Sequence, residues 1–104
     1  STIDTSNASD DTSSADAIVI GNEEPTRTYI LQINSFDNAD DADRRRAEVL
    51  MAGVDAQIVK KRLNNDQTVY QVISRAMSSP EMAAQAQRQL QNSRIDSLIV
   101  EQRR

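Results

Sequence analysis

"YILQINSFDNADDADRRRAEVLMAGVDAQIV", residues 29–59, lies over "YQVISRAMSSPEMAAQAQRQLQNSRIDSLIV", residues 70–100, without a gap at an offset of 41. Tyr29 falls on Tyr70, Ala42 on Ala83, Asp55 on Asp96, and Ile58-Val59 on Ile99-Val100. The two segments share a pattern of apolar positions rather than identity, and each reads strand, helix, strand. Two such units in tandem give the order βαββαβ.

Within the first unit, the apolar run at 29–36 reads as a strand, and Asp37-Asn38 offer side-chain oxygens to cap the helix that follows. Ala39, Ala42, Val49 and Leu50 then fall on one side of that helix, with small residues where it approaches a sheet closely. Gly53 supplies the positive φ that ends it. Asp40 and Asp41 precede Arg44 and Arg45 by four residues, the favourable acid-then-base order. The second strand covers roughly 56–62. Asn64 to Asp66 tolerate the positive φ of a hairpin turn into a third strand at about 68–74. Ser78 or Ser79 caps the second helix, Pro80 sits in its first turn, and Glu81 meets the positive end of its dipole. Ala83, Ala86 and Leu90 form the buried stripe, and a fourth strand runs near 96–101.

This order predicts an α+β domain of the split-βαβ kind, ferredoxin-like or RNP-like: a four-stranded antiparallel sheet with both helices on one face. Two helices cover one side only, so the other faces water, a partner or a ligand. Period-two alternation places Ile30, Gln32 and Asn34 on one face of the first strand and Tyr29, Leu31 and Ile33 on the other. In the third strand Val69, Gln71 and Ile73 stand opposite Tyr70 and Val72. With Leu31, Ile33 and Val72 under the helices, Gln32 and Gln71 point outward among Ile30, Val69 and Ile73. Amides mixed with β-branched residues suit a ligand that presents both hydroxyl and C–H surfaces. The same pattern also fits an ordinary solvated sheet face.

Charge divides the chain. Residues 1–28 carry six acids and one base, Arg27, whereas the remainder has ten acids and eleven bases, so the overall charge of -4 belongs to the N-terminal segment. That segment holds too few apolar groups to offset its ordering entropy and is expected to be a disordered acidic, polar linker, with the domain at 29–104. Ala17 to Gly21, "AIVIG", reads as an apolar patch within the linker, or else as a short strand added to a sheet edge. No Cys and no His are present, which removes thiol nucleophiles, thiolate metal sites and imidazole acid–base chemistry. No apolar run approaches the ~20 residues of a membrane span, and any anchor is expected upstream.

Other signals are weaker. "DNADDADRRR", from Asp37, has Ala42 where a calcium loop needs its mid-loop Gly, and reads as a capped, charged helix. Lys60-Lys61-Arg62 solubilises an edge strand. Nucleic acid is not expected, since the outward positions of the central strands hold Gln, Ile and Val in place of stacking aromatics, and the pI is near 4.7. No cofactor or metal is expected. Glycoside hydrolysis generally requires two carboxyl groups across a cleft, and the central strands offer no outward carboxylate, so binding without turnover is expected.

The order and spacing of "YILQINSF", Ala39, Ala42, Val49, Gly53, "VYQVIS", Ala83, Leu90 and "SLIV" resemble the SPOR domain, over about 29–101. This is the module at the C-terminus of bacterial cell-division proteins such as those of the FtsN type. The resemblance implies a periplasmic, septal carbohydrate-binding domain that recognises peptidoglycan glycan strands denuded of stem peptides, using the open sheet face, with other proteins of the division machinery as further partners. It implies site residues at Gln32 and Ser35 on the first strand, Val69 and Gln71 on the third, and Ile99 on the fourth. Gln32 and Gln71 would hydrogen-bond sugar groups, Val69, Ile73 and Ile99 would supply apolar contact, and Ser35 would shape the end of the site. The chain departs from the family where Asn34 replaces a usual Gly, Val69 an aromatic, Gln71 a base, and Arg75-Ala76 a Gly-Pro. A cation for the lactyl carboxylate of a peptide-less sugar would then come from Arg75 or Lys61. The alternative reading is a protein-interaction or dimerisation domain that uses the same face.

Overall fold

The computed structural model describes residues 27–103. Its elements are β1 (Arg27–Phe36), α1 (Ala39–Met51), β2 (Ala56–Arg62), β3 (Thr68–Ser74), α2 (Pro80–Asn92) and β4 (Leu98–Arg103). The strands form one antiparallel sheet in the order β2-β3-β1-β4, the βαββαβ arrangement expected. The linker expected at the N-terminus, with Ala17 to Gly21, lies outside the described residues except for Arg27 and Thr28. Those two belong to β1, because β4 runs on to Arg103 and gives them Arg103 and Gln102 as partners.

Contacts repeat with the sequence. Asn38 caps α1 by accepting the Asp41 N–H at 2.9 Å, and Ser79, 41 residues on, caps α2 by accepting the Met82 N–H at 3.2 Å. Caps of this kind contribute about 1 kcal/mol each. Arg46 Nε donates to the Ala56 carbonyl at 2.9 Å, and Gln87 Nε2 donates to the Ser97 carbonyl at 2.8 Å. Each helix is thus tethered to the chain entering or beginning its neighbouring edge strand. Gly53 ends α1 at φ 95°, and its counterpart Arg94 follows α2 at φ 63°. The repeat therefore acts on backbone geometry as well as on hydropathy.

Leu31, Val49, Val72 and Leu90 are fully buried together with Ala42, Ala56 and Ala83, so both helices lie on one face of the sheet. Truncating any of the four large side chains costs about 2–5 kcal/mol. Ala39 and Leu50 are exposed instead of joining this stripe. Between Ala42 and Val49 the half-buried Arg46 takes the inward place, its guanidinium reaching the edge carbonyl. On the helix surface Arg44 pairs with Asp41 at 3.2 Å, three residues away, and Arg45 pairs with Glu48 rather than with the upstream acids.

The turn between β2 and β3 closes through Leu63 N–H to the Gln67 carbonyl at 2.8 Å, with Asp66 at φ 66°. Gln67 Nε2 then donates to Asp37 Oδ1 at 3.1 Å and ties this hairpin to the loop before α1.

Candidate functional site

The face opposite the helices is set by two irregularities between β1 and β3. Gln32 pairs with Ile73, but the next pair is Asn34 with Val72, so Ile33 and Asn34 together oppose one residue. This bulge shifts the alternation by one. Ser35 consequently pairs with Gln71 and joins the face that carries Gln32, while Phe36 pairs with Tyr70 on the helix side. Strict alternation puts Asn34 there and Ser35 under the helices. Asn34 does this without positive φ, so the bulge needs no Gly at that position.

The second irregularity is the counterpart of the first. Beyond Ser74 the chain takes three residues to reach Met77, which exchanges two backbone hydrogen bonds of 2.8 Å with Tyr29. At the gap, the buried Ser74 Oγ accepts the Leu31 N–H at 2.8 Å and donates to the Arg75 carbonyl at 2.9 Å. A side-chain hydroxyl replaces the missing rung of the ladder.

Register then assigns the outer strands. Leu98 pairs with Gln32 and Val100 with Ile30, which places both on the open face. Gln57, Val59 and Lys61 face the same way from β2, across from Ile73, Gln71 and Val69.

A shallow groove of about 370 Å³ crosses this face, lined by Gln32, Ile33, Asn34, Ser35, Gln71 and Leu98. Three expected site residues, Gln32, Ser35 and Gln71, are brought together here. Val69 is half-buried on the same face, one pair further along β3 and outside the groove lining. Ile73 faces the same way, paired with Gln32 and Gln57 on the neighbouring strands, but is only 9% exposed and does not line the groove, so it offers little contact surface. Ile99 is misplaced by the sequence reading. It pairs with Leu31 and packs against the core, so its side chain lies on the helix side. Leu98, 62% exposed, occupies the open-face position instead. Its orientation was hidden because 98–100 are apolar throughout, and only the register against Gln32 settles it.

The groove is polar but uncharged, with the Gln32 and Gln71 amides and the Ser35 hydroxyl beside the exposed, apolar Leu98. Such a set donates and accepts hydrogen bonds from neutral polar groups and offers C–H contact. Of the two cations considered for the site, Arg75 reaches Asp55 at 3.8 Å, at the other end of β3. Lys61 is on the open face; Lys60 is on the helix side, 5.9 Å from the Tyr70 ring centroid. Among the described residues no three His, Cys, Asp or Glu side chains gather to hold a metal ion, and no helix is long and apolar enough to cross a membrane.

Comparison with known proteins gives one family and two similar solved structures. The model of the SPOR domain family matches residues 25–101. The structure is similar to the peptidoglycan-binding domain of the B. subtilis cell wall lytic enzyme CwlC, with a TM-score of 0.63 and 21% identity over 77% of this chain and 95% of that one. It is also similar to the RlpA SPOR domain from Pseudomonas aeruginosa, with a TM-score of 0.61 and 19% identity over 70% of this chain and 96% of that one. No curated protein sequence matches the chain.

Proposed function

We propose, from the premise that this chain belongs to the SPOR domain family, that its open sheet face binds peptidoglycan glycan strands without turning them over. The similarity of the fold to the peptidoglycan-binding domain of CwlC supports this reading. The observation that carries it is the convergence of Gln32, Ser35 and Gln71 on one uncharged groove that no helix covers. Sugar hydroxyl and N-acetyl groups match these side chains, and Leu98 supplies apolar contact to sugar C–H surfaces. Acidic residues do not line the groove, which supports binding in place of hydrolysis.

The preferred ligand is a glycan strand stripped of its stem peptides. A shallow groove gives a bulky peptide branch no recess, whereas a bare strand lies along it. Such strands mark the division septum, and the domain would act there in the periplasm beside other division proteins. A single shallow site gives modest affinity, so localisation rests on many glycan sites acting at once.

The test is co-sedimentation of the domain with purified sacculi before and after amidase treatment. The pelleted fraction should rise after amidase. Equal pelleting would remove the preference for stripped strands. No pelleting in either case would remove the peptidoglycan reading and favour a protein partner on the same face.

A further inference from the structure

Lys61 is the single ionisable side chain that the strands place on the open face among the described residues. Every other charged strand residue lies on the helix side of the register. Arg27 and Arg103 both contact Glu101, Arg62 contacts Asp66, and Lys60 lies over Tyr70. Lys61 is exposed and has no carboxylate within ion-pair distance among the described residues. Its counterpart one repeat on is the neutral Gln102, so the cation belongs to one half of the sheet only.

Its place relative to the groove gives this a direction. Val59 stands across from Gln71 and Lys61 across from Val69, so Lys61 continues the line that runs from Leu98 through Gln32 and Gln71. From Leu98 to Lys61 the line crosses three strand gaps of about 4.8 Å and climbs four residues of about 3.4 Å, roughly 20 Å in all. A stripe of that length fits a linear oligomer better than a single sugar, and its far end is cationic.

We infer that Lys61 is a specificity-determining residue that reads a carboxylate on a linear glycan lying along this stripe. The inference rests on the peptidoglycan reading and sharpens it. Removing a stem peptide leaves a lactyl carboxylate on the strand, and Lys61 pairs with that charge after the amides have engaged the neutral sugar groups. Neutral glycans then bind through the amides alone.

The test measures Kd for two probes: soluble glycan strands from amidase-treated sacculi, and a neutral β-1,4-linked oligomer of N-acetylglucosamine. Wild type is compared with Lys61→Gln, Gln71→Ala and the helix-side control Lys60→Gln. Lys61→Gln should weaken binding of the carboxylate-bearing strands roughly two- to fivefold at low salt, the range of an exposed ion pair. That loss should shrink as salt rises. The neutral oligomer should bind Lys61→Gln and Lys60→Gln as it binds wild type, and Gln71→Ala should weaken both probes. If Lys61→Gln binds both probes like wild type while Gln71→Ala does not, the role of Lys61 is overturned and the groove reading stands. Equal weakening of both probes by Lys61→Gln also overturns it. If Gln71→Ala changes neither, the groove reading fails and the inference falls with it.

Discussion

Ser35 stands directly across the sheet from Gln71, in a register that the Ile33–Asn34 bulge creates. Without the extra residue Ser35 would face the helices and the groove would lose its hydroxyl. Because both side chains lie on the surface away from the core, Ser35→Ala and Gln71→Ala should change unfolding free energy by no more than about 0.5 kcal/mol. Each should nonetheless lower the fraction of protein retained by amidase-treated sacculi, and the double variant should lower it further. Denaturant unfolding and co-sedimentation of the same preparations check the two halves of this statement.

The Ser74 hydroxyl offers the opposite case. It satisfies the Leu31 N–H where the β1–β3 ladder skips a rung, and it is almost wholly buried. Ser74→Ala leaves that buried donor unpaired, at a cost of about 1–3 kcal/mol. Urea unfolding should show a lower midpoint with an unchanged slope, since the exposed surface of the unfolded chain is the same.

Leu98 and Ile99 are adjacent yet face opposite ways, Leu98 paired with Gln32 and Ile99 with Leu31. Ile99→Glu turns a carboxylate toward the core and should cost at least about 2 kcal/mol. Leu98→Glu should leave stability nearly unchanged while reducing glycan retention. A thermal melt of each variant separates them, and reversal of the two stabilities would mean that the register is wrong.

Gly53 and Arg94 hold equivalent positive-φ positions at φ 95° and 63°. At Gly53 an added Cβ would also approach Gln89 Nε2 to 3.0 Å. Gly53→Ala should therefore destabilise by about 1–2 kcal/mol, whereas Arg94→Gly should stabilise by about 0.5–1 kcal/mol by relieving left-handed strain. Calorimetric melting of the pair checks both signs.

The repeat made the topology legible, because caps, small helix residues and helix stops recur at one spacing and each has a local physical cause. Asn38, Ser79, Gly53 and Asp66 all act where their chemistry predicts. Gln32 and Gln71 were legible too, since alternation suffices for a regular strand. What stayed hidden was set by non-local pairing. The bulge that turns Ser35 outward has no marker, as Asn34 lacks the Gly that often accompanies one. Ile99 and Leu98 exchange roles because three consecutive apolar residues leave a strand without a readable face. Alternation puts Ile73 on the open face, where it does lie, but its burial there is not readable from the strand pattern.

The most direct test is a backbone amide NMR titration of the domain with soluble glycan strands prepared from amidase-treated sacculi. The largest shift changes should map to residues 32–35, 71 and 98, with the α1 and α2 amides little affected. Shifts concentrated on the helices, or none at saturating strand concentration, would contradict the assignment of the open face as the binding surface.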